Sequence, residues 1–174
     1  MSTKQPTFEE AMNVSIHWCK AWEEGELSDE VLADRVSELL TSQEGARGFL
    51  VISLASDFPL LDRCPEAIVV QLRKAGEIII NLTVKNLAMS SAMDVHHKRH
   101  KNETQRAGSE RVNARCIELL RLLEPNKVKK YLEEMLDEVE VNASNSEFIK
   151  RWGYDEEQKK AIISSIYKVP EGKD

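Results

Sequence analysis

The chain has 174 residues, 31% of them charged, with seven glycines, five prolines and a formal net charge of -6. That length is enough to bury a real core, and a composition rich in Leu, Ala, Glu, Lys and Arg suits helices better than sheet. The acidic balance argues against non-specific binding to nucleic acid or anionic membranes, and no apolar run is free enough of charge to cross a bilayer.

Thr7-Phe8-Glu9-Glu10 reads as a capping box that opens a first helix, with Phe8, Ala11, Met12, Cys19 and Trp22 inward. Gly25 should end it by supplying a left-handed residue. Ser28, followed by Asp29 and Glu30, caps a second helix with Val31, Leu32, Val36, Leu39 and Leu40 on its inner face. Ser42 caps a third, from about residue 43 to 56, in which Gly45 and Gly48 either weaken the first turn or let a neighbouring backbone come close. This pair of helices has the outline of a helix-turn-helix. Its second member offers only Arg47 to a nucleic acid, too few basic groups for recognition.

Pro65 to about Lys101 is the longest apolar run, and the rest of the chain reads as shorter helices packed on it. Ile68, Leu72, Ala75, Ile79, Leu82, Met89 and Met93 fall in steps of four and three, and Ile80, Val84, Leu87, Ser91 and Val95 form a second stripe. One unbroken helix there would be about 50 Å long. Apolarity on two sides of so long a helix predicts self-association through it. Asn86 interrupts the first stripe, as a register-fixing seam residue does. The small residues Ala88, Ser90, Ser91 and Ala92 invite close approach by another helix.

The helical pattern should weaken over residues 102 to 108 and resume at Ser109, with Val112, Cys116, Ile117, Leu119, Leu120 and Leu123 inward. Pro125 ends that helix or opens the next, which carries Val128, Leu132, Met135, Leu136 and Val139. Asn142 to Ser146 reads as a loop, and a last helix runs from about Asp155 to Lys168. The expectation is a single all-α domain over residues 1–174: six or seven helices around the central one, with tails at 1–6 and 169–174.

Candidate chemistry gathers near the end of the central run. His96 and His100 are four apart, and Glu103 continues their stripe. Two imidazoles and a carboxylate suit zinc or another borderline divalent ion, with further ligands to come from elsewhere, and His17 is distant in sequence. The same three groups, without metal, read as the polar end of a helix leaving the core.

Between His96 and Arg115, six basic residues stand against two acids, so the remainder of the chain is about ten units negative. Lys98, Arg99, Lys101 and Arg106 are therefore candidate contacts for an acidic protein partner. Structurally, the same excess can complement the chain's own acids around Glu23 to Glu30 and Glu133 to Glu140. No aromatic residues interleave with it, so stacking on nucleic acid is not expected.

No phosphate-binding glycine loop, nucleophile elbow or Cys-His motif is present, so no catalytic residue and no organic cofactor is assigned. Trp152-Gly153-Tyr154 reads as an anchor for the terminal segment. Met1 to Pro6 lead straight into polar residues rather than a secretory signal. Cys19, Cys64 and Cys116 show no CxxC pairing, which suits a reducing, cytoplasmic compartment. The functional expectation is a non-enzymatic cytoplasmic helical protein that binds another macromolecule or itself. The alternative is a helical metal-binding protein or metal-dependent hydrolase built on His96, His100 and Glu103.

Overall fold

The computed structural model describes residues 4–140 and 153–171, and among these it is all-α. Eight helices follow in order: α1 Phe8–Glu23, α2 Asp29–Leu39, α3 Gln43–Ala55, α4 Glu66–Ala75, α5 Glu77–Arg99, α6 Glu103–Leu122, α7 Pro125–Glu140 and α8 Glu156–Glu171. The expected loop at Asn142 to Ser146 and Trp152 of the expected anchor lie outside the described residues. The chain divides into two compact units, Met1–Leu82 and Thr83–Asp174.

In the first unit α1 packs on α3 and α2 on α4. The capping box forms as the sequence indicates. The Thr7 hydroxyl accepts from the Glu10 amide at 3.1 Å, and the Thr7 amide donates to the Glu10 carboxylate at 2.9 Å. Helix α1 stops at Gly25 (φ 80°), where the amides of Gly25 and Glu26 donate back to the carbonyls of Trp22 and Ala21. Leu32, Val36, Phe49, Leu50 and Leu54 are buried.

Gly48 allows the close approach of α1. A Cβ there would lie 2.5 Å from the Ala11 Cβ and 2.9 Å from the Met12 nitrogen and Phe8 carbonyl oxygen. Helices α2 and α3 follow one another as expected, and Arg47 is already engaged. It pairs with Glu44 at 2.9 Å and lies over the Phe8 ring at 4.6 Å.

The continuous central helix expected over 65–101 is not formed. It breaks at Gly76, which adopts φ 64°, ψ -128° and ends α4. Helical periodicity continues through this point in the sequence, because Ala75 and Ile79 stay in phase with Leu72. The break rests on a backbone conformation that only glycine adopts readily. Ile68, Val69, Leu72, Ile79, Ile80, Val84 and Leu87 are all buried within one chain. Met93, further along the first stripe, is exposed.

In the second unit α8 packs on α6 and α7. Helix α6 starts at Glu103 and runs through Gly108, earlier than the expected start at Ser109. The Asn102 side chain caps it by accepting from the Gln105 amide at 3.2 Å. A glycine inside a helix costs about 1 kcal/mol relative to alanine, which a cap of similar size offsets. Pro125 opens α7 rather than ending α6.

The small-residue stretch of α5 is filled from inside the unit. Ser91 and Ser165 share a hydroxyl hydrogen bond at 2.7 Å, and the Asn113 amide donates to Ser91 at 2.9 Å and Ser90 at 3.2 Å. Asn86 is half-buried.

Candidate functional site

Two regions of the second unit carry the chemistry: the α5–α6 turn and an apolar groove at the far ends of α6 and α8. At the turn, α5 stops without glycine. Lys101 takes the left-handed conformation (φ 53°), and the Asn102 and Lys101 amides donate to the carbonyls of His97 (2.9 Å) and Lys98 (3.1 Å). This is the double hydrogen bond that closes many helix C-termini. Because the helix ends here, the stripe from His96 does not continue to Glu103.

His96 and His100 do come together. Their ring centroids are 4.3 Å apart, and His100 Nδ1 donates to the His96 carbonyl at 2.7 Å. Glu103, the first residue of the next helix, pairs instead with Arg106 at 3.8 Å. Among the described residues no group of three or more His, Cys, Asp or Glu side chains is disposed to hold a metal ion.

The basic cluster is largely answered by acids of its own unit. Arg99 forms a two-pronged pair with Asp155 at 2.6 and 3.0 Å and reaches Glu157 at 3.5 Å. Arg106 pairs with Asp94 at 3.2 Å and Glu110 at 3.4 Å. Arg115 is buried. These partners differ from the acids around Glu23 to Glu30 and Glu133 to Glu140 that the sequence nominated.

Asp155 also caps α8, accepting from the Gln158 amide at 3.0 Å while its own amide donates to the Gln158 side chain at 3.1 Å. The Arg99 guanidinium and the Gln158 amide hold the Asp155 carboxyl well down, at about 2. Lys98 and Lys101 stand exposed on the turn.

The three thiols are poor nucleophiles as they stand. Burial, with Glu23 nearby, pushes Cys19 up to about 11, and burial with Glu66 pushes Cys64 up to about 12. Burial alone raises Cys116. Each is a thiol rather than a thiolate at neutral pH.

The groove arises from how α7 is set against its neighbours. The Glu124 carboxylate accepts from the amides of Asn126 at 3.0 Å and Lys127 at 2.9 Å, which starts α7 at Pro125. Val128, Leu132, Met135 and Val139 form its buried stripe, with Leu136 half-buried beside it.

Arg121 of α6 fastens the end of α8. Its guanidinium donates to the carbonyls of Lys168 at 2.6 Å and Val169 at 3.0 Å and pairs with Glu118 at 2.6 Å. Between these elements lies a cavity of about 430 Å³, walled by Leu120, Val128, Leu132, Leu136, Ile166 and Tyr167. Tyr167 is 50% exposed. Lys129 and Glu133, 3.9 Å apart, sit at its edge.

Small-molecule sites usually combine such apolar walls with a few converging polar groups. Here the one guanidinium on the wall is committed to helix carbonyls, so the surface suits apolar side chains.

The sequence placed Leu136 on the apolar stripe of its helix and assigned Tyr167 no functional role. Both lie at helical spacing from buried neighbours, and periodicity carries no information about which flank of a stripe remains uncovered.

The first unit has a more polar cavity of about 510 Å³ beside Trp22, Asp29 and Arg63. There the Trp22 indole N–H donates to Asp29 at 2.7 Å.

The chain belongs to the family described as uncharacterised conserved protein UCP020893, whose model matches residues 7–169. Comparison with curated proteins and with solved structures finds no match.

Proposed function

We propose that the chain is a non-enzymatic helical binding protein that receives an apolar segment of a protein partner in the groove between α6, α7 and α8. One observation carries this reading: a cavity of about 430 Å³ with apolar walls, beside an aromatic side chain that is half-exposed. Water in such a groove is released when an apolar side chain enters, worth about 1.5–3 kcal/mol for each large side chain fully buried. Aromatic residues at the edge of apolar pockets are frequent anchors of protein interfaces. The groove is a stronger basis than the basic turn, because Arg99 and Arg106 already answer acids of their own unit. The reading is of a cytoplasmic protein, for which the three free thiols are the support.

Photo-crosslinking in cells tests it. With Leu136 or Tyr167 replaced by p-benzoylphenylalanine, irradiation should give a discrete polypeptide adduct. The same replacement at exposed Asp34 on α2 should give none. Absence of adducts from both groove positions would refute the proposal.

A further inference from the structure

We infer that the partner in this groove is a second copy of the chain, arranged so that the two α7 helices run antiparallel about a two-fold axis. The inference rests on reading the groove as a docking surface and adds the identity of the occupant.

The argument is one of charge order. Lys127, Lys129 and Lys130 occupy the first half of α7, whereas Glu133, Glu134, Asp137, Glu138 and Glu140 occupy the second. This order does not serve α7 itself. Glu124 answers the amides at its N-terminus, but its last turn contains acids and no base, where the helix dipole favours the reverse. An antiparallel copy of the same helix removes the conflict twice over, since the basic half of each faces the acidic half of the other.

The residues at the groove have the spacing for such a contact. Lys129, Glu133, Leu136 and Glu140 follow in steps of four, three and four, which keeps them on one flank of the helix. The first three line the groove. In the antiparallel arrangement Lys129 of each copy lies opposite Glu140 of the other. Between these ends Leu136, with Tyr167 beside it at the groove, lies opposite Glu133 of the other copy, whose carboxylate is 3.9 Å from Lys129 of its own chain. Exposed ion pairs of this kind set register and partner choice, while the apolar centre supplies affinity.

Light scattering and sedimentation of the full chain over a wide concentration range should show a species of twice the 19.8 kDa chain mass. Reversing the basic half (Lys129→Glu with Lys130→Glu) or the acidic half (Asp137→Lys with Glu140→Lys) should weaken self-association about tenfold or more. An equimolar mixture of the two variants should restore it, because every facing pair is again of opposite sign. Both reversals place charges in the order α7 itself prefers, so a weakened helix does not explain a loss. Recovery on mixing also excludes misfolding.

A monomer mass at every concentration, a dimer indifferent to both reversals, or no recovery on mixing would overturn the inference. Crosslinking through p-benzoylphenylalanine in place of Tyr167 separates the two proposals. An adduct of two copies supports the inference. An adduct only with a different polypeptide overturns self-pairing and leaves the groove as a docking site, and no adduct from either Tyr167 or Leu136 overturns both.

Discussion

Gly76→Ala distinguishes two accounts of the longest apolar run by the sign of its effect. The glycine sits at φ 64°, ψ -128°, a conformation that costs an L-residue about 1–3 kcal/mol. Space is not the obstacle, since an added Cβ would lie 4.0 Å from the Lys74 carbonyl oxygen. Alanine also narrows the unfolded ensemble and returns about 0.4–1 kcal/mol. The net expectation is a loss of about 1–2 kcal/mol, or a melting temperature lower by roughly 3–6 °C for a chain of this size.

If α4 and α5 instead formed one helix through this point, alanine would stabilise it by about 1 kcal/mol, the usual difference from glycine in a helix interior. Urea unfolding followed by circular dichroism at matched conditions measures the difference. D-Alanine at position 76, introduced by semisynthesis, is the matching control, because its chirality favours positive φ and it should be at least as stable as glycine. A Gly76→Ala variant more stable than the parent would refute the argument that backbone conformation breaks the helix here.

Lys101→Gly should act in the opposite direction. The left-handed conformation costs a residue with a side chain about 1–2 kcal/mol, and glycine's extra unfolded-state entropy takes back about 0.5–1 kcal/mol. A net gain of up to about 1 kcal/mol should therefore appear in the urea midpoint, and a loss would count against the C-terminal motif described for α5.

Gly48→Ala should cost about 1–3 kcal/mol by the overpacking it forces. Its Cβ would press on α1 backbone at the Met12 nitrogen and Phe8 carbonyl, and an unchanged midpoint would mean that α1 and α3 lie further apart.

Asp155 gives an acid limb. Its carboxyl lies at about 2 when folded against an ordinary 3.8, so its contribution is present above about pH 4 and fades as pH falls toward 2. The stability difference between the parent and Asp155→Asn should shrink over that window, and a difference independent of pH would remove Arg99 and the α8 cap as the cause.

Much of the architecture was legible because it rests on local signals. The caps at Thr7, Ser28 and Ser42, the stop at Gly25, the buried stripes of α6 and α7 and that of α2 apart from the exposed Val31 each depend on residues within one or two turns. The candidate site was legible only in part. His96 and His100 meet because both lie in the same helical stretch, whereas Glu103 was assigned by extending a helix that ends at Arg99. The excess of basic residues between His96 and Arg115 was visible, yet its partners Asp94 and Asp155 were not, because ion pairing between helices depends on which helices become neighbours.

The amino-acid order by itself determined that this chain is helical, where most helices begin, and which stripe of each is apolar. Those properties follow from hydrogen bonding and side-chain spacing along a single segment. Tertiary structure alone decided how that apolar surface is shared out. It breaks the central run at Gly76, fills the small-residue stretch of α5 with Asn113 and Ser165, and leaves Leu136 and Tyr167 at an open groove. The physical reason is that burial belongs to a pair of surfaces. A helix carries one of them in its own sequence, and only the packed chain supplies the other.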